Sequence, residues 1–274
     1  VPGPSHAPTN KNAREDLKLL KDTVREAGHI ARKFYGGDYK RWSKEGGSPV
    51  TEADLAVNKY LCDQLTAARP DYAWLSEENT DDPARLSRHA VFIIDPIDGT
   101  IAFLKNRPHF TICAAVVIEG RPCCGVVYNP ITDELYSART GNGAYRNDTP
   151  IRVAARDGLE GCAMLGDRNQ LTQSPWPAMH VQNRNSVAYR LVLVADGSAD
   201  ASVSLTAKRD WDLAAADVIL HEAGGLLTDA NGATLIYNRP VTMQASLVAA
   251  NPVLHSEITT LLNGRAERGA DAPQ

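Results

Sequence analysis

The hexapeptide DPIDGT, Asp95 to Thr100, most narrows what this chain can fold into. It closes the apolar run VFII, which reads as a short strand buried in a sheet interior. Two carboxylates three residues apart at the end of such a strand project into one cleft. The proline between them fixes a backbone angle, and Gly99 permits a sharp turn. Thr100 then opens a short helix whose free N–H groups suit a phosphate oxygen. Taken alone, the same letters also describe an Asp-Gly turn with solvated acids.

Other acids gain weight from that company. Glu77 and Glu78 follow the apolar stretch YAWL, and by themselves they read as solvated surface. An acid after one strand and two after the next can meet at a single hard cation, which takes oxygen ligands. The segment DWDLAAADVILHEAGG begins at Asp210, which reads as a helix N-cap, with Asp212 in the first turn facing the helix dipole. A helix start of that kind is also a good mount for a metal ligand. Thr51-Glu52-Ala53-Asp54 precedes a periodic apolar run and reads as a capping box.

The chain has 274 residues, enough for one large domain or two closely joined lobes. Leu17, Leu20, Val24, Ala27, Ala31 and Phe34 mark a helix from about Ala13, stopped by Gly36-Gly37. The polar stretch from Asp38 to Pro49 reads as a loop, and a second helix starts at Thr51. FTICAAVVIEG and CCGVVYNP read as adjacent strands, and ELYSA as a third. Further on, Val187 to Val194 and Leu213 to Ala223 read as helices, DASVSL, GLLTD and ASLVAAN as strands, and Pro252 to about Leu262 as a last helix. Blocks in irregular alternation predict layered α+β architecture rather than a strict βαβ array. The expected division is an N-terminal lobe over 13–150, a C-terminal lobe over 151–263, and flexible tails at 1–12 and 264–274.

Several classes of function are excluded or disfavoured. A net charge of −4 gives no basic face for a nucleic-acid polymer. Five cysteines without a CxxC pair argue against a disulfide framework and a zinc ribbon. Cys123 and Cys124 are neighbours on a strand, so they are expected on opposite faces. No apolar run approaches the roughly 20 residues of a membrane span, and the start of the sequence lacks the apolar core of a signal peptide; a cytoplasmic location is expected. There is no GxSxG, HExxH or P-loop, and the seven histidines are scattered.

SPVTEAD (48–54), SEE (76–78), DPIDGT (95–100), GNGAY (141–145) and WDLAAADVILHEAGG (211–225) together resemble the inositol monophosphatase superfamily over nearly the whole chain. Within it the chain looks most like the bacterial 3′(2′),5′-bisphosphate nucleotidases of the CysQ type. The resemblance implies a layered αβαβα sugar-phosphatase fold and a lithium-sensitive phosphomonoesterase site with two to three magnesium ions. It assigns Glu77, Asp95, Asp98, Asp212 and the Ile97 carbonyl to the metals. Asp54 and Thr100, with Glu77 close by, hold and activate the attacking water, and Gly99 and Thr100 offer backbone N–H groups to the phosphate. Lys44 falls where the family carries a mobile-loop lysine. Clustered carboxylates agree with this chemistry, because they repel one another until a divalent ion relieves them.

For the substrate, animal-type inositol monophosphatases carry a glutamate seven residues before the second metal acid, where this chain has Leu205. Lys208 and Arg209 instead offer cations to a second phosphate, although a solvated basic loop reads equally well. Ser186 matches a substrate-lining serine of the nucleotidases and also reads as a helix N-cap. The leading expectation is hydrolysis of adenosine 3′,5′-bisphosphate to AMP and phosphate. Inositol or sugar phosphates such as fructose 1,6-bisphosphate are the alternative, and a regulatory binding protein with an intact site is the alternative of another class. The expected partner is a small phosphate ester; a homodimer is left open.

Overall fold

The structure, a computed structural model, describes residues 12–44 and 47–270. The helix α1 (Ala13–Phe34) buries Leu20, Val24, Ala27 and Ala31, the stripe that its spacing predicts. Where the sequence reads as a loop, β1 (Arg41–Ser43) and β2 (Pro49–Thr51) form an antiparallel pair with Trp42 opposite Val50. Strands of three residues in a polar, Gly-rich stretch are too short to show a period of two. Thr51 then caps α2 (Glu52–Ala68): its hydroxyl accepts from the Ala53 and Asp54 N–H groups while the Asp54 carboxylate accepts from its N–H.

β3 (Ala73–Ser76), β4 (Ala90–Asp98) and the short helix α3 (Thr100–Leu104) follow. Next come β5 (Thr111–Ile118), β6 (Arg121–Asn129), β7 (Glu134–Arg139), β8 (Ala144–Arg146) and β9 (Thr149–Ile151). These seven strands form one sheet in chain order, parallel only between β3 and β4. The remaining chain adds β10 (Ala163–Leu165), α4 (Arg168–Leu171), β11 (His180–Gln182), α5 (Val187–Ala195), β12 (Ala201–Ser204) and β13 (Lys208–Arg209). It ends with α6 (Asp210–Glu222), β14 (Leu226–Thr228), β15 (Met243–Gln244), β16 (Leu247–Ala250) and α7 (Pro252–Ala270). A second sheet has the order β11-β10-β12-β16-β14, and β13 pairs with β15.

The alternation along the central strands sorts side chains into separate cores. Phe92 and Ile94 of β4 pack with Leu20 of α1 and Val57 and Leu61 of α2, whereas Val91 and Ile93 pack with Leu191 of α5 and Leu213 and Ile219 of α6. Leu247 and Ala249 of β16 join the α5–α6 core, and Val248 and Ala250 face Leu254 and Ile258 of α7. The layers are therefore helix, sheet, helix, sheet, helix.

Three expectations are corrected. Cys123 and Cys124 share one core rather than opposite faces, because a bulge opposite Val116 and Val117 inserts an extra residue into β6. α7 runs past Leu262 to Ala270; helix ends fray, and their bounds are the part of an element that periodicity marks least well. Of the expected tails, residues 1–11 and 271–274 lie outside the described residues. Asp210 is the first residue of α6, and Arg209 holds the cap position; the Asp210 carboxylate instead accepts from Gln244 Nε2 and the Asn238 N–H, both at 2.8 Å.

The α6 helix sits unusually close to the sheet at Gly125 of β6. A Cβ there would lie 2.7 Å from the Ala215 carbonyl oxygen and 2.9 Å from Val218 Cγ1. Gly125→Ala should accordingly lower stability by about 1–3 kcal/mol. Urea unfolding with an unchanged midpoint would contradict that close approach.

Candidate functional site

A regular strand sends residues three apart to opposite faces. Asp95 and Asp98 nevertheless share a side. Asp95 pairs with Cys113 but Asp98 with Thr111, so four residues of β4 run beside three of β5. That irregularity turns both carboxylates toward α5 and α6. Asp212 reaches the same place from the first turn of α6, where its Oδ2 accepts from the Arg209 N–H at 2.8 Å. One oxygen each of Asp95, Asp98 and Asp212 lies within 4.8 Å of the others. Glu77 follows β3, placed by its N–H on the Ile94 carbonyl at 3.3 Å, and lines the same cleft. That cleft has a volume of about 180 Å³, and Ile97, Gly99 and Thr100 also line it.

Gly99 has φ of 95°, a left-handed conformation that favours glycine, and a Cβ there would sit 2.9 Å from the Ser186 nitrogen. Only glycine meets both demands. Thr100 Oγ1 donates to the Ile97 carbonyl at 3.2 Å and lies 3.4 Å from Asp54 Oδ1. The other Asp54 oxygen receives both the N–H and the hydroxyl of Thr51. Lys44 Nζ donates to Glu77 Oε1 at 2.9 Å and Glu78 Oε1 at 2.7 Å. Glu78 is therefore no solvated surface acid: its side chain is only 4% exposed and shares Lys44 with Glu77.

Burial and mutual repulsion act together on these acids. Burial first, then Glu77, Asp98 and Asp212, hold Asp95 well above the usual carboxylate range. Burial also pushes Asp98 up to about 6, against the donors Ser186 and Ala188. Asp212 rises to about 8 through burial and the neighbouring Asp98. Asp54 rises to about 6 and Glu78 to about 7, burial again leading. A hard divalent cation fits this set, because every donor is oxygen and the surplus is negative charge.

A second cleft of about 440 Å³ adjoins the first, and Asp98 and Asp212 line both. Its wall carries Arg184, Arg190 and Lys208. Arg190 was not legible as a site residue, although one arginine within the apolar helix VAYRLVLVA is the signal that could have found it. It is 6% exposed, and its Nε has no hydrogen-bond partner among the described residues. Burial lowers its affinity for a proton, with Asp98 and Asp212 working against that. Burial likewise lowers Lys208, with Arg190 adding to it.

Two expected substrate contacts are not brought to the clefts as read. Lys208 and Arg209 are consecutive in an extended strand and diverge, so Arg209 turns away and stacks over Trp211 at 5.7 Å. Ser186 is fully buried beneath Asp98, donating to its Oδ2 at 2.6 Å, so it supports an acid instead of lining the wall. Leu205 packs against the core under α7.

Residues 12–267 match the model of the Inositol monophosphatase family. The chain is 32% identical over 241 residues to the 3′(2′),5′-bisphosphate nucleotidase CysQ of Aggregatibacter actinomycetemcomitans, covering 81% of this chain and 88% of the relative. It is 34% identical over 233 residues to an inositol-1-monophosphatase of Rhizobium meliloti, covering 79% and 86%. The IMPase structure from Thermotoga maritima matches with a TM-score of 0.79 at 28% identity, covering 94% of this chain and 99% of that one.

The raised carboxylates have a consequence for stability. A carboxylate whose folded pKa is raised binds more protons folded than unfolded, so its contribution is present below about pH 4 and is lost as pH rises through the folded value. With Asp98 at about 6 and Asp212 at about 8, the metal-free protein should lose stability between pH 4 and 8 on their account. Magnesium should raise the melting temperature more at pH 8 than at pH 5. A gain independent of pH, read by thermal melts, would contradict the shared-charge account.

Proposed function

The chain belongs to the inositol monophosphatase family and is a phosphatase of that family, and from that premise we propose that it hydrolyses adenosine 3′,5′-bisphosphate to AMP and phosphate. The observation that carries this reading is the cationic wall of Arg184, Arg190 and Lys208 opening beside Asp98 and Asp212. A substrate with two phosphates places one at the acids and the other against that wall. A polyol substrate would instead ask for a carboxylate where the chain has Leu205, half-buried against the core under α7. The nucleotidase activity in the name of the Aggregatibacter relative supports the same choice.

In this reading Glu77, Asp95, Asp98, Asp212 and the Ile97 carbonyl would hold magnesium, two to three ions in all. Bound there, the metal supplies Lewis acidity and a water of lowered pKa. Gly99 and Thr100 turn their N–H groups to the phosphate. Thr100 orients the attacking water, and Asp54, with one oxygen fixed by Thr51 and the other toward Thr100, takes its proton. The new P–O bond forms as the ester P–O bond breaks, the leaving 3′ oxygen takes a proton from solvent water, and Asp54 gives its proton back to solvent. Lys44 balances the charge of Glu77 and Glu78, with which it pairs.

The 34% identity to the Rhizobium inositol-1-monophosphatase favours a second reading, in which inositol or sugar monophosphates are the substrates. Phosphate release measured side by side for adenosine 3′,5′-bisphosphate, inositol 1-phosphate and fructose 1,6-bisphosphate separates the two. The bisphosphonucleotide should have the highest kcat/KM, and a clear preference for inositol phosphate would overturn the proposal. Arg190→Met should raise KM for the bisphosphate more than for 3′-AMP.

The acids carry a separate expectation. Asp95→Asn and Asp98→Asn should each lower turnover by at least about 10²-fold, because several kcal/mol of charge stabilisation is lost. Circular dichroism should show both variants folded. Near-normal turnover in either would remove that residue from the metal set.

A further inference from the structure

The acids of the cleft share a second pattern, in how each is held from behind. Asp98 Oδ2 accepts from Ser186 Oγ at 2.6 Å and from the Ala188 N–H at 2.7 Å. Asp212 Oδ2 accepts from the Arg209 N–H at 2.8 Å, and Asp95 Oδ1 from the Ile97 N–H at 3.1 Å. Each carboxylate thus has one oxygen engaged by its own chain, and an oxygen of each lies within 4.8 Å of the others. A carboxylate held in this way is set to meet a cation through a single oxygen.

Asp98 is the most firmly held of the three, and only there is one of the donors a side chain. Ser186 caps α5, where its Oγ accepts from the Tyr189 N–H at 2.9 Å, and it lies 3.0 Å from Thr111 Oγ1. A serine hydroxyl has one proton. An ionised Asp98 can only accept, so that proton goes to Asp98 and Thr111 must donate to Ser186. Cys113 Sγ lies 3.4 Å from Thr111 Oγ1 and completes the chain. These groups are fully or almost fully buried, so water does not compete for their protons.

We infer that Ser186 is a positioning residue that fixes Asp98 as a one-oxygen donor and so biases the cluster toward a magnesium-sized ion over calcium. The inference rests on the metal-site reading above. Calcium takes six to eight oxygens at about 2.3–2.6 Å and accepts carboxylates through both oxygens, whereas magnesium demands six at about 2.0–2.1 Å in near-octahedral array. A carboxylate free to swing lets the larger ion gain its second oxygen. One locked from behind withholds it.

The test is calorimetric titration with magnesium alone and with calcium alone. It compares the unaltered protein with Ser186→Ala, Ser186→Gly and Ser186→Thr. Glycine is a tolerated N-cap, so Ser186→Gly removes the hydroxyl with little loss of helix stability. Loss of the hydroxyl should weaken magnesium about tenfold, the lower end of what loss of a ligand's outer partner does. Calcium affinity should hold or rise, so the magnesium-to-calcium ratio should fall about tenfold; Ser186→Thr should restore it. A merely structural role would lower the melting temperature and leave the ratio unchanged, and that result overturns the inference while the metal site stands. Absence of divalent binding to the unaltered protein would instead remove the metal-site reading, and the inference with it.

Discussion

Repulsion among buried carboxylates is the constraint on which the rest of the site depends. Asp95, Asp98 and Asp212 converge on one point, Glu77 lines the same cleft, and burial and mutual charge resist their joint ionisation. Such a group persists in a folded chain only if donors hold each acid and a counter-charge relieves the excess. The donors are visible: backbone N–H groups of Ile97, Ala188 and Arg209, and the Ser186 hydroxyl. Lys44 contributes a positive charge from the β1–β2 segment.

The layered architecture makes the convergence possible. The acids come from the ends of two adjacent parallel strands and from the start of a helix packed across the same sheet. β3 and β4 deliver Glu77, Asp95 and Asp98, and α6 delivers Asp212. The close approach of α6 to Gly125 and the grip of Gln244 and Asn238 on Asp210 fix where that helix begins. α5 contributes from the other side, with Ser186 and Ala188 beneath Asp98 and Arg190 beside it. The acids and the cations of the two adjoining clefts therefore share a single helix–sheet layer.

The helices and long strands were legible because apolar periodicity is a local property. α1, α2, α6 and the pair β5 and β6 follow directly from it. The short pieces were not, since β1, β2, β13 and β15 have two or three residues each and show no period. Bulges were not legible either: one places Cys123 and Cys124 in one core, against expectation, and another is what puts Asp95 and Asp98 on the one side expected of them. In both places local alternation gives the wrong answer, because an extra residue in one strand is defined only by its partner.

By itself, then, the sequence determined which residues could do chemistry. DPIDGT, the acid pair after YAWL and the WD segment mark the acids, and the alternation of apolar runs marks the layered α+β class. Tertiary structure alone decided how those residues face one another. It turned Lys208 toward the cleft and Arg209 toward Trp211, put Ser186 under Asp98, and brought the buried Arg190 to the wall. The physical reason is one of range. A residue's type and the spacing of its neighbours are written along the chain, but the side to which it points and the groups it meets depend on register with segments about 90 residues away.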